Sequence, residues 1–238
     1  MVMKKNFIII IILSFFLTPN LTFAQMSDTE ASTLIQKANS HFSKKQYPET
    51  AHVLQKLYDC GKLKNEVTIY VLGYCYKQCK QNKLAVKYLE IAYPKLKKNQ
   101  REYQYCVEIL SMAYEDLAEY NKAIKYAQIN LELDINDESK QIAHDIIGRS
   151  NFHLGYYEKA IESFNYAIIY LQRYLNINID KIENGQIHNE LLGEIYYNLS
   201  SSYYANGNHN LGNVNLRYAA KCGYPPAISK CHKSNIYL

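Results

Sequence analysis

The side chains able to do chemistry in this sequence are six cysteines, seven histidines and a scatter of carboxylates, and their spacings meet the requirements of no known reaction type. Cys222, Cys231 and His232 come nearest to a zinc set, but a structural zinc needs four ligands and no fourth stands at ordinary spacing. His144 and His153 are nine residues apart on one expected helix and do not share a face at ligand distance. Glu115 and Asp116 are adjacent, so on a helix they point about 100° apart and cannot act as paired acids. The sequence contains no Walker loop, no dinucleotide-binding glycine set, no HExxH helix and no Gly-x-Ser-x-Gly elbow. We therefore expect no catalytic residues, no cofactor and no metal: the protein is read as a non-enzyme.

The N-terminus supplies an address. Lys4 and Lys5 precede the eleven-residue run Phe7 to Leu17, and Thr22-Phe23-Ala24 has the small-residue form of a cleavage site. Residues 1–24 read as a secretory signal peptide, with a retained anchor as the alternative, because a bilayer span needs about 20 apolar residues. The mature chain then runs over 25–238 with no retained membrane span. It is placed in a bacterial periplasm, at the outer membrane or outside the cell. Removing the two lysines takes the formal charge from +5 to +3, which is no nucleic-acid footprint. In an oxidising compartment the cysteines have to be considered for pairing. Cys222 and Cys231 bracket Gly223-Tyr224-Pro225-Pro226, a turn that would bring two short helices together, and are the leading disulfide candidates. Cys75 and Cys79 sit one turn apart on a single helix, where a bond would be strained, and read as buried apolar groups.

The elements that carry these residues repeat. Leu72-Gly73, Tyr76, Ala85, Leu89 and Ala92 form one set. Leu110-Ser111, Tyr114, Tyr120, Ala123 and Ala127 form the next, and Ile147-Gly148, Gly155, Tyr157, Ala160, Phe164 and Ala167 the third. Ala85, Ala123 and Ala160 are 38 and 37 residues apart, a period that means stacked helix pairs. Small residues recur where two helices must approach, and large ones a helical turn away. Weaker copies flank these sets, at Leu34, Ala38, Phe42, Tyr47 and Leu54 and again from Tyr196 to Ala219.

These sets resemble the tetratricopeptide repeat family, whose first helix carries Leu-Gly and an aromatic three residues on, and whose second carries Ala, a bulky residue and Ala. Ala219 to Gly223 is similar, over only five residues, to the Sel1-like repeat. The resemblance implies an all-α, right-handed superhelical solenoid of about five antiparallel pairs. Ser27 with Glu30 has the form of a capping box and starts the first helix near Asp28. The later pairs are expected at Asn65–Lys80 with Asn82–Lys97, Glu102–Leu117 with Asn121–Leu133, Glu138–Leu154 with Tyr157–Asn176, and Ile187–Ala205 with Asn208–Lys221. Ala160 to Gly212 spans 52 residues, so 177–185 is an insertion, and Pro226 starts a terminal helix that caps the array.

In such a solenoid the first helix of each pair lines the concave side. Helical spacing puts Tyr70, Tyr74 and Lys77 on the exposed face of the second pair, and Tyr105, Met112, Glu115 and Asp116 on that of the third. The fourth offers Asp145, Arg149, Phe152 and His153, and the fifth Tyr197, Asn198 and Tyr204. The family's clamp for a terminal carboxylate does not carry over, because Val67, Tyr70 and Tyr74 stand where cationic or amide groups are needed. A groove with rings and both signs of charge is expected to take an extended or helical segment of a protein partner. Two alternatives are a sensor or accessory module of an envelope signalling or assembly system, and a cell-wall hydrolase on a repeat scaffold. The first would come with a membrane helix and an output domain. The second would need a catalytic cluster in the insertion, where Asp180 and Glu183 are the acids.

Overall fold

In the computed structural model, residues 26–98, 101–133, 135–178, 181–182 and 187–236 are described, and they form eleven α-helices with no strand among them. Helix α1 spans Asp28–Ser43, α2 Tyr47–Asp59, α3 Glu66–Gln78 and α4 Asn82–Ala92. Then come α5, Arg101–Asp116, α6, Tyr120–Leu131, α7, Asp137–His153, and α8, Tyr157–Leu175. The last three are α9, Glu190–Ala205, α10, His209–Lys221, and α11, Pro225–Lys233. Each helix packs on the one that follows. In addition α3 touches α5, α5 touches α7 and α7 touches α9. The chain is an all-α solenoid of five helix pairs with α11 against its end, and the first helices form the inner layer.

Local chemistry explains where the helices begin and end. Ser27 and Glu30 make the reciprocal capping box, with Glu30 N–H donating to Ser27 Oγ at 3.2 Å and Ser27 N–H to Glu30 Oε2 at 2.9 Å. Asn65, Asn136, Asn189 and Asn208 each accept a backbone N–H of the first turn through the side-chain oxygen, at 2.9 to 3.1 Å. Pro94 ends α4 at Ala92 and leaves a 3-10 turn at Tyr93–Lys95, short of the Lys97 expected from the pattern. Every hairpin turns through a left-handed residue just after its first helix: Lys45, Lys80, Ala118, Gly155 and Gly207. Glycine takes this conformation without strain, so at the other three turns the stack carries the cost of a side chain.

Close approach explains the repeated small residues. Ala85, Ala123 and Ala160 are fully buried. A Cβ on Gly73 would lie 2.7 Å from Leu89 Cγ, and one on Gly148 2.7 Å from the Phe164 ring. In two successive units a tyrosine of the first helix stacks on one of the second, Tyr76 on Tyr88 at 5.6 Å and Tyr114 on Tyr126 at 5.5 Å. Much of the tyrosine content is therefore core. Thr50, at a position where alanine is the rule, is buried and donates its hydroxyl to Gln46 O at 2.7 Å.

The expected Cys222–Cys231 disulfide is absent, and all six cysteines are free thiols. Both side chains are buried, and Cys231 Sγ faces Leu216 O at 3.9 Å, inside the contact of α11 with α10. Burial pushes the thiols of Cys75 and Cys106 up to about 12 and that of Cys222 to about 11, so they stay un-ionised and unreactive. Most of the insertion lies outside the described residues, Asp180 and Glu183 included. Ile182 within it is fully buried.

Candidate partner-binding surface

Helices α5 and α7 place their inner faces side by side, and between them the chain forms a cleft of about 300 Å³. Met112, Glu115 and Asp116 come from α5, and Glu138, Gln141, Ile142, Asp145, Ile146 and Arg149 from α7. Lys77 closes one side from α3. Leu171 and Tyr174 arrive from the last turns of α8, and Leu191 from the start of α9. Helix α8 reaches this far because it runs 19 residues before Asn176 ends it in the left-handed conformation.

The polar floor of the cleft is a network of charges. Arg149 grips Glu115 in the two-pronged way, Nε to Oε1 at 2.5 Å and Nη2 to Oε2 at 2.8 Å, and donates from Nη1 to Asp145 Oδ2. Lys77 Nζ pairs with Asp116 Oδ2 at 2.9 Å. Asp145 was expected on the exposed face, yet only 5% of it is accessible, because α7 sits between α5 and α9 rather than at an edge. Burial raises its carboxyl to about 6; Arg149 works against this, while Glu115 and Glu194 add to it. Burial opposes the charge on Arg149, but Glu115 and Asp145 outweigh it and hold the guanidinium protonated. Oδ1 of Asp145 is buried and has no hydrogen-bond partner.

Of the fourteen residues expected on the inner face, Lys77, Met112, Glu115, Asp116, Asp145 and Arg149 meet in this cleft. The other eight lie elsewhere. Tyr105 is 43% exposed, two turns ahead of Met112 on the same stripe of α5. Tyr70 and Tyr74 belong to an aromatic patch at the start of the array. There Tyr74 meets Tyr47 at 5.6 Å, Phe42 at 6.0 Å and Tyr70 at 6.5 Å. Burial pushes both phenols up, Tyr74 to about 12. Phe152 packs on Tyr157 at the turn of its own hairpin, and His153 stacks on Tyr120 at 4.8 Å, at the turn between α5 and α6. Tyr197 and Tyr204 both lie beneath Lys230 of α11, whose Nζ is 5.5 and 4.6 Å from their rings. The terminal helix covers part of the face that these two were expected to offer, leaving a cavity of about 660 Å³ beside Tyr204 and Lys230, and Tyr204 also donates to Asn213 Oδ1 at 2.6 Å.

Spacing along one helix could have found Gln141, because 141, 145 and 149 form a single i, i+4 stripe. No such signal existed for Tyr174 and Leu191, which flank the irregular insertion and reach the cleft only through tertiary packing. His144, four residues before Gly148, turns away from this face: it stacks on Tyr166 at 5.0 Å and Tyr170 at 5.5 Å, and burial lowers its pKa to about 4. Among the described residues no three His, Cys, Asp or Glu side chains converge as a metal-holding group. No helix among them is long and apolar enough to cross a membrane.

Solved structures share this path of the chain. MamA of AMB-1 is 17% identical, with 82% of this chain and 92% of that one covered and a TM-score of 0.61. MamA of MSR-1 is 19% identical, covers 82% and 98%, and gives 0.61. The C-terminal part of a TPR repeat-containing protein from Cytophaga hutchinsonii is 16% identical, covers 79% and 64%, and gives 0.58. The fold is a tetratricopeptide-type solenoid. At these identities the likeness concerns the fold alone. No protein-family model and no curated protein sequence matches the chain. The solenoid's cleft is thus read from its own residues.

Proposed function

We propose that this solenoid is an exported, non-enzymatic interaction scaffold that takes up a segment of a protein partner along its inner face. One observation carries the reading: side chains from four successive units converge on a single cleft whose walls are apolar and whose floor is charged. Apolar walls with a few fixed polar groups are the make-up of a recognition site. The arrangement suits binding better than turnover, because the charged groups are tied to one another rather than to an open position where a substrate atom would react. Export is proposed from the basic start, apolar run and cleavage-site pattern of 1–24, with the mature chain beginning at Gln25.

Crosslinking in the intact envelope followed by mass spectrometry tests the scaffold reading. The native protein is expected to capture a defined partner, and a Tyr105→Ala, Asp145→Asn double variant to lose it with unchanged helical circular dichroism. Equal capture by both proteins would remove the inner face from the reading. Cell fractionation with N-terminal sequencing tests export: a cytoplasmic, full-length product is the result that would sink it.

A further inference from the structure

We propose that the cleft over Asp145 receives a primary ammonium group, the side chain of a lysine on the partner segment. The inference rests on the groove reading above and narrows its partner to a stated chemistry.

Three observations converge. The first is an acid held without a complete set of partners. Asp145 is buried to all but 5%, and its Oδ2 is taken by Arg149, while Oδ1 has no donor. A buried acceptor left unpaired costs stability, and a donor brought in by a ligand removes that cost. The second is the balance of charge around it. Glu115, Asp116, Glu138 and Asp145 line the cleft against Lys77 and Arg149, so four acids face two bases, and both bases are already paired. Glu194 on α9 adds its field at Asp145. An incoming cation meets an excess of negative charge; an incoming carboxylate is repelled. The third is the shape of the walls. Met112, Ile142, Ile146, Leu171, Tyr174 and Leu191 give an apolar collar above the acid. A lysine has the matching form, four methylenes carrying a compact charge at the tip.

Lysine fits better than arginine at the buried floor because the acceptor left over there, Asp145 Oδ1, is a single oxygen. A guanidinium fork needs two oxygens in one plane, and Glu115, which offers that pair, is already held by Arg149. Oδ1 is shut off from water in the free protein, so the donor reaches it by parting the side chains over the floor, of which Tyr174 and Leu191 are the exposed ones.

The test uses the purified protein on arrays of acetyl-capped, amidated nine-residue peptides, random except at the centre. The central residue is Lys, Arg, Nε-acetyl-lysine or Glu. The lysine pool is expected to be captured at least about tenfold better than the acetyl-lysine and glutamate pools. Asp145→Asn should bring the preference for Lys over acetyl-lysine below about threefold, and Glu138→Gln, which changes an exposed residue, should reduce it in the same direction. Equal capture of lysine and acetyl-lysine, or a preference for arginine, overturns the lysine pocket while leaving the groove in place. A lysine preference that survives Asp145→Asn overturns it as well, by moving recognition elsewhere. Capture of no pool overturns it too, and the envelope crosslinking then decides the wider reading by itself.

Discussion

At the start of the array the inner face is made of rings: Phe42, Tyr47 and Tyr74 meet edge to face, with Tyr70 tilted against them. Two units further along, the corresponding stretch is made of charges, with Arg149 holding Glu115 and Asp145 and with Lys77 holding Asp116. Both stretches join one first helix to the next, but they leave different things behind. The rings satisfy each other by contact and need no partner. The charges hold their geometry through hydrogen bonds and leave Asp145 Oδ1 over. Where a surface is completed by its own residues it mainly stabilises the stack; where it is left one donor short, a ligand has something to supply.

The sharpest way to break this comparison is to remove the hub of the charged stretch. Arg149→Ala strips two half-buried or buried carboxylates of their partner, and a loss of about 3 kcal/mol in urea unfolding is expected. A loss below about 1 kcal/mol would show that the network contributes little to the stack. Asp145→Asn should act in the opposite sense. Its carboxyl has an ordinary value of 3.8 and stands at about 6 in the folded protein, so between those values the folded state binds the extra proton and gains stability as the pH falls. Above pH 6 the buried charge is a standing cost. The asparagine variant is therefore expected to be more stable at pH 8 by about 1 to 3 kcal/mol and no more stable at pH 4. An equal difference at both pH values would assign the effect to packing instead.

At the aromatic stretch Tyr74→Ala should cost about 1 to 2 kcal/mol, from lost ring contacts and area, with no dependence on pH between 4 and 8. The smallest effect on folding belongs to Tyr105→Ala, which lies open on the stripe ahead of Met112. Stability should change by less than about 0.5 kcal/mol, while partner capture weakens. Thermal or urea unfolding beside a binding measurement separates the two behaviours.

The stack was legible because its signals are local. Ser27 with Glu30 placed the start of the first helix near Asp28, where it is found. Ala85, Ala123 and Ala160 marked the close approaches, and all three are fully buried. The surface was less legible. Six of the fourteen residues read onto the inner face meet in the cleft, and one of them, Asp145, proved to be its buried floor. Tyr197 and Tyr204 were read as open because helical spacing places a residue on a face without saying what lies over it. In the folded chain α11 returns and sets Lys230 above both.

The residues alone determined that this chain forms capped helices in repeating pairs, since capping, small-residue spacing and turn chemistry act within about one helix pair. Tertiary structure decided what the inner face has left to offer. Lys77 and Asp116 are 39 residues apart, and Arg149 and Glu115 are 34 apart. A pair across one period becomes an ion pair or two free charges according to a few ångströms of relative displacement between stacked units. That displacement is set by how the whole array packs, and no stretch of sequence short enough to read as a pattern contains it.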